Sequence, residues 1–175
     1  MGWGDGWEPI KGTQQILVAP AAPSTTGKAT QFSLAAAGSL TGIAQPDFAR
    51  NLVYSFSAAV TSCTIVATGL NAAGYPATEV MTGNDDQTGN VAFSQVTSIA
   101  VTAVAGGSGK TLDIGHGKKM GLTTPIAQSS DIYKVTIDGV DSPVASQTIS
   151  AAYGTITFAA DPDGTKRFEV YQKGD

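Results

Sequence analysis

A chain of 175 residues, 42% of them hydrophobic, carries enough apolar material for one domain with its own core and is not compositionally disordered. Its formal charge of −4, with no basic cluster beyond Lys118-Lys119 and Lys166-Arg167, argues against a nucleic-acid surface, which needs several phosphate-neutralising cations on one face. Cys63 is the only cysteine, which excludes an internal disulfide framework and a multi-cysteine metal site.

Charged residues make up 14%, against about 25% in an ordinary soluble domain. Two readings follow: part of the surface is normally covered by copies of the chain or by a partner, or Ser, Thr and Asn carry solubility instead. No stretch has the length and apolarity of a membrane helix, because the Ala-rich segments are broken by Gly, Ser and Pro. The start, Met1-Gly2-Trp3-Gly4-Asp5, lacks the basic and apolar regions of a secretory leader. The expectation is a protein made in the cytoplasm of its host.

In chain order, residues 1–30 read as an extended arm and 31–175 as the folded domain. The arm offers Trp3 and Trp7 on a glycine-rich backbone and then the apolar run Ile16-Leu17-Val18, bounded by Pro20 and Pro23. These five residues are the candidate anchors to a partner, since aromatic and apolar groups bury much area for little entropy. The alternative is that the arm folds back on its own sheet. Around Gln45 to Asn51 one helical turn is possible. Cys63 to Thr68 alternates as a strand, and Ala77 to Thr82 follows the turn at 71–76. A polar loop spans Thr82 to Asn90. Val91 to Val104 is the longest strand, with an apolar frame that slips between Val96 and Ile99 and so predicts a β-bulge. Gly106-Gly107-Ser108-Gly109 turns the chain and Lys110 to Ile114 returns.

The last third alternates most cleanly. Tyr133, Val135 and Ile137 share one face; Lys134, Thr136 and Asp138 share the other. Asp138-Gly139 turns the chain, and Val144 to Ile149 is predicted to pair back. Ile156 and Phe158 precede the turn at 160–164; Phe168 and Val170 point inward, Arg167, Glu169 and Tyr171 outward. Many short strands with Gly, Pro and Asp turns predict an all-β fold, an antiparallel sandwich or jelly roll.

Chemistry-bearing patterns are thin. Gly106 to Thr111 superficially matches a phosphate-binding loop, but Val104 stands where its first glycine belongs and a strand follows where a helix is required. His116, the only histidine, lies between Gly115 and Gly117 and reads as a polar loop residue with no metal or triad partner. Asp161, Asp163 and Gly164 match part of a calcium loop, but turn chemistry accounts for them. Asp85-Asp86 reads as a solvated loop tip. Glu79, the only charge between Arg50 and Asp85, either faces solvent or pairs with Lys110. No catalytic, cofactor-binding or metal-ligating residue is assigned, and the expectation is a non-enzyme.

Four segments nevertheless fall into a familiar order. Residues 69–79, Gly-Leu-Asn-Ala-Ala-Gly-Tyr-Pro-Ala-Thr-Glu, fit G-x-(D/N)-x-x-G-x-P-x-T-E; residues 92–99 fit A-F-x-x-V-T-S-I; residues 114–122 fit I-G-x-G-x-K-x-G-L; residues 162–171 fit P-D-G-T followed by alternating aromatic and Val positions. This arrangement resembles small structural proteins of tailed bacteriophage virions, capsid decoration (cement) proteins among them. His116 stands where a small hydroxyl residue is usual and Lys118 where an acidic one is. The resemblance implies a head decoration protein on the capsid surface that clamps neighbouring major capsid protein subunits. It also implies self-association, with a homotrimer favoured, and neither cofactor nor membrane nor nucleic-acid partner. Alternatives are a tail or head–tail junction component, or a carbohydrate-binding β-sandwich using Tyr75, Tyr133, Tyr153 or Tyr171.

Overall fold

The computed structural model describes residues 12–173. Its strands are β1 (Gly12–Val18), β2 (Ser24–Ser33), β3 (Gly38–Ser39), β4 (Arg50–Phe56), β5 (Ser62–Asn71), β6 (Pro76–Gly83), β7 (Gln87–Ala105), β8 (Thr111–Gly121), β9 (Ile132–Ile137), β10 (Val140–Ser142), β11 (Thr148–Ser150), β12 (Thr155–Thr157) and β13 (Arg167–Lys173). They form two antiparallel sheets in a sandwich-like, curled arrangement. One has the order β1-β13-β9-β10; the other runs β11-β12-β8-β4-β7-β5-β6, with β2 on β8 and β3 on β7.

Two apolar clusters fill the interior. The first joins Leu34, Leu52, Tyr54, Ile65, Phe93, Ile99, Leu112 and Ile114. The second joins Leu17, Met120, Leu122, Ile132, Val135, Ile156, Phe158, Phe168 and Val170, with the Phe158 and Phe168 rings stacked at 4.3 Å. Strand β8 serves both: Leu112 and Ile114 enter the first, Met120 the second.

The expected slip in the long strand is present. Thr68 pairs with Ser98 and Gly69 with Val96, so Thr97 is the extra residue of a bulge in β7. Strand β7 also takes in Gln87 to Asn90, which the sequence reading placed in a loop. That bulged strand reaches β4 with its first half and β5 with its second, which curls the larger sheet. On the far edge, β6 is tied back to β7 by a side chain. Glu79 is 7% exposed, and its Oε1 accepts hydrogen bonds from the Asn90 (2.5 Å) and Val91 (3.1 Å) amides. Glu79 thus neither faces solvent nor pairs with Lys110, whose ammonium donates to Ala59 O. Both amides bond to Oε1, and Oε2 is buried without a hydrogen-bond partner among the described residues.

Three further expectations are corrected. Residues 45–49 form no helix; the chain runs irregularly into β4. Val144 to Ile149 does not pair back on β9. Val144–Ser146 is a single 3-10 turn, β10 makes the return, and β11 joins β12 in the other sheet. From Gly12 onward the expected arm is strand: β1 pairs with β13 over its whole length, Gly12 opposite Lys173 and Val18 opposite Arg167, and β2 lies on β8.

Candidate interaction surface

The singled-out polar residues are committed to structure. The turn at Gly106 and Gly109 uses their positive φ values of 69° and 72°, and it leads from β7 straight into β8. Asp163 accepts hydrogen bonds from the Thr165 amide (2.9 Å) and hydroxyl (2.7 Å) and pairs with Lys166. Lys166, with the threonine bonds, holds the Asp163 carboxyl well below the usual carboxylate range. Asp161 pairs with Lys118 at 3.3 Å. Asp86 is no free loop tip: it accepts the Phe56 amide at 2.7 Å. Cys63 is buried in β5, and burial pushes its thiol pKa up, so it acts as a small core residue. Among the described residues no group of three or more His, Cys, Asp or Glu gathers where an ion would be held. Nor is any helix among them long and apolar enough to cross a membrane.

His116 departs most from its sequence reading. It is not in a loop but in the middle of β8, 6% exposed, opposite Leu52 of β4 and Ser24 of β2. The glycines beside it are there for close approach, since a Cβ at Gly115 would run into Ser24 O and one at Gly117 into the Asn51 amide. Its Nε2 lies 3.0 Å from Ala22 O. Nearby, Arg50 is fully buried at the start of β4. Its Nε donates to Gly117 O (3.0 Å) and its Nη1 to Ala21 O (2.7 Å) and Asp47 Oδ1 (3.3 Å). Sequence reasoning missed Arg50 and Asp47. The only signal was an isolated arginine opening an apolar run, with an acid three residues before it.

The outward surface richest in ordered aromatic and apolar groups is the outer face of the four-stranded sheet. In β1, Leu17 is 4% exposed and belongs to the second core, while its neighbours Ile16 (42%) and Val18 (61%) face out. Of the expected anchors, Leu17 therefore holds the chain's own sandwich together, and Ile16 and Val18 remain on the surface. Trp3 and Trp7 lie outside the described residues. Across from β1, alternation turns Arg167, Glu169 and Tyr171 of β13 outward, as expected. Tyr133, expected on the same face as Val135, is instead on the other side and half-exposed. Tyr171 pairs with Lys134 and Gln172 with Ile132, so Tyr133 is the extra residue of a bulge, and Ile132 takes the buried place.

Hydrogen bonds fix this face. Tyr171 Oη donates to Glu169 Oε2 at 2.7 Å and accepts from Gln14 Nε2 at 3.0 Å. Thr136 Oγ1 also donates to Glu169 Oε2 at 2.9 Å, and Arg167 pairs with its other oxygen at 2.7 Å. The tyrosine hydroxyl, then the threonine, hold the Glu169 carboxyl below its usual pKa, and the same bond raises that of Tyr171. Lys134 pairs with Asp141 at 2.9 Å and sits 5.6 Å from the Tyr171 ring centre; the Tyr133 and Tyr171 rings are 6.2 Å apart. Lys134, Asp141, Arg167 and Glu169 are thus mutually paired, and Tyr171 is held in place with Tyr133 beside it. Such a surface loses little side-chain entropy on covering, a property of interface anchors.

A second aromatic feature is a groove where two hairpin tips meet. Tyr75 of the β5–β6 turn and Tyr153 of the β11–β12 turn, 63% and 50% exposed, flank a cavity of about 260 Å³ floored by Ala92, Leu122 and Ile126. The sequence named both tyrosines as exposed candidates and gave no sign that they converge. Comparison with protein-family models, with curated proteins and with solved structures finds no match to this chain.

Proposed function

We propose that this chain is a structural virion protein of a tailed bacteriophage, a capsid decoration protein that binds the major capsid protein shell and stabilises the head. Residues 69–79, 92–99, 114–122 and 162–171 resemble that family. The observation that carries the mechanism is the pre-ordered outer face of the four-stranded sheet, with Ile16, Val18, Tyr133 and Tyr171 among paired charges. A protein of this kind acts by adhesion. A ligand that binds the assembled shell but not its dissociated subunits stabilises the shell by mass action, and many symmetry-related copies multiply that effect. The low charged fraction fits a surface that is covered in use. Electron microscopy of virions carrying a gold-labelled copy tests the placement. Label over the head supports decoration, label confined to the tail or junction assigns it there, and unlabelled particles overturn the virion reading.

A second reading is favoured by the groove between Tyr75 and Tyr153, because a sugar ring stacks on exposed tyrosine faces. It predicts that a glycan array gives hits that Tyr153→Ala removes; an array without hits eliminates it.

A further inference from the structure

The crossover from β1 to β2 carries the chain from one sheet to the other, and it is clamped at nearly every residue. Ala19 donates its amide to Lys166 O at 2.9 Å while holding φ at 51°, a left-handed conformation strained for a residue with a Cβ. Pro20 O accepts from the Gly164 amide at 2.8 Å. The Ala21 amide donates to Asp47 Oδ2 at 2.8 Å, and Ala21 O accepts from Arg50 Nη1. Ala22 O, an acceptor only, requires the proton of His116 on Nε2. His116 Nδ1 is then a bare acceptor, buried with no hydrogen-bond partner among the described residues; Arg50 Nη2, a donor, is likewise without a partner among them.

We infer that residues 19–24 are a strap latched by Arg50, Asp47 and His116, and that a proton taken up by His116 Nδ1 opens it. A second ring proton would be a buried donor with no acceptor. It would also add a cation to a group that already holds Arg50 from β4 and Lys28 from β2, against one carboxylate, Asp47, from the segment before β4. The strap is the most dispensable member of that group. Its backbone is strained at Ala19, and between the backbone bonds at Ala19 and Pro20 and the ladder that resumes at Ser24, Ala21 and Ala22 are tied by side chains alone. Burial, then Arg50 and Lys28, lower the pKa of His116; the bond to Ala22 O and Asp47 oppose them. A histidine with a lowered folded pKa contributes its stability in full above about pH 6.5, and that contribution falls as pH drops toward the folded value. The latch is therefore closed at neutral pH and released on acidification, which would alter how β1 and its outward Ile16 and Val18 are presented.

Hydrogen exchange followed by NMR on the full chain tests this between about pH 7.5 and about pH 5, with rates corrected for their intrinsic pH dependence. As the only histidine, His116 gives an unambiguous ring signal. The expected result is a ring that titrates below the ordinary histidine value. Over the same interval the Ala19 and Ala21 amides should lose protection about tenfold or more while β5 amides keep theirs. In His116→Gln, whose amide can still donate to Ala22 O, strap protection should stay flat. The inference is overturned by strap protection that persists while the ring takes up its proton, by an equal loss in β5, or by the same loss in His116→Gln. If that variant fails to fold, the ring titration and strap exchange of the unaltered chain still decide.

Discussion

The two cores draw on different spans of the chain. The first is built from residues 34–114, where β5, β6 and β7 pair with sequence neighbours while β2 and β4 pair with β8 from far along the chain. The second is drawn from residues 120–170 and closed by Leu17, where Gly12 to Val18 lies along Arg167 to Lys173. Loop closure over so long a separation costs entropy before any contact returns it. The second core is thus closed by one strand from the far end of the described chain, through Leu17, and it carries the face we propose to be adhesive. Because β8 enters both, the two should fail together rather than as separate domains.

That comparison breaks most sharply at Phe168. It is fully buried against Phe158, and Phe168→Ala should cost about 3–5 kcal/mol, read by urea unfolding. A single transition is expected. Two resolved transitions, with the first core surviving alone, would show that β8 does not couple them. Leu17→Ala should cost about 2–4 kcal/mol through the same core. A neutral result would mean that β1 is not docked on β13. Gly115→Ala forces a Cβ onto Ser24 O and should cost about 1–3 kcal/mol by overpacking, seen as a lowered denaturant midpoint.

Smaller and pH-dependent is Asp47→Asn. Burial works against the Asp47 carboxylate, but the Ala21 amide and then Arg50 bring its pKa below the usual range. A lowered carboxylate pKa contributes stability above about pH 4 and loses it as pH falls through the folded value. Asp47→Asn should lower stability at neutral pH by about 1–2 kcal/mol, moderated by its partial exposure, and flatten the acid limb below about pH 4. An unchanged acid limb would remove Asp47 from the latch.

Much of the larger sheet was legible because alternation and turn residues are local signals. The bulge at Thr97 and the inward Phe168 and Val170 could be read directly from period-two patterns. What was not legible is long-range. Nothing in residues 12–18 says that their partner is the C-terminal strand, so they were assigned to an arm. Gly115 and Gly117 were read as turn residues, but they sit within a strand because another backbone and a buried amide press against it. Tyr133 follows the alternation of Val135 and Ile137 until a bulge, invisible on either strand alone, turns it outward. The buried Arg50 cluster exists only once the strap lies over β8.

The central claim, that the outer face of the four-stranded sheet is an adhesive surface for the phage head, is tested most directly by co-sedimentation of the purified chain with isolated heads and isolated tails. The chain should pellet with heads alone. The double variant Ile16→Asp, Val18→Asp, expected to lose about 1–2 kcal/mol in stability because Asp is disfavoured in strands and position 16 lies opposite Glu169, should stay folded by urea unfolding yet remain in the supernatant. Pelleting with tails alone, failure to pellet with either, or a double variant that pellets with heads as fully as the parent would contradict the account.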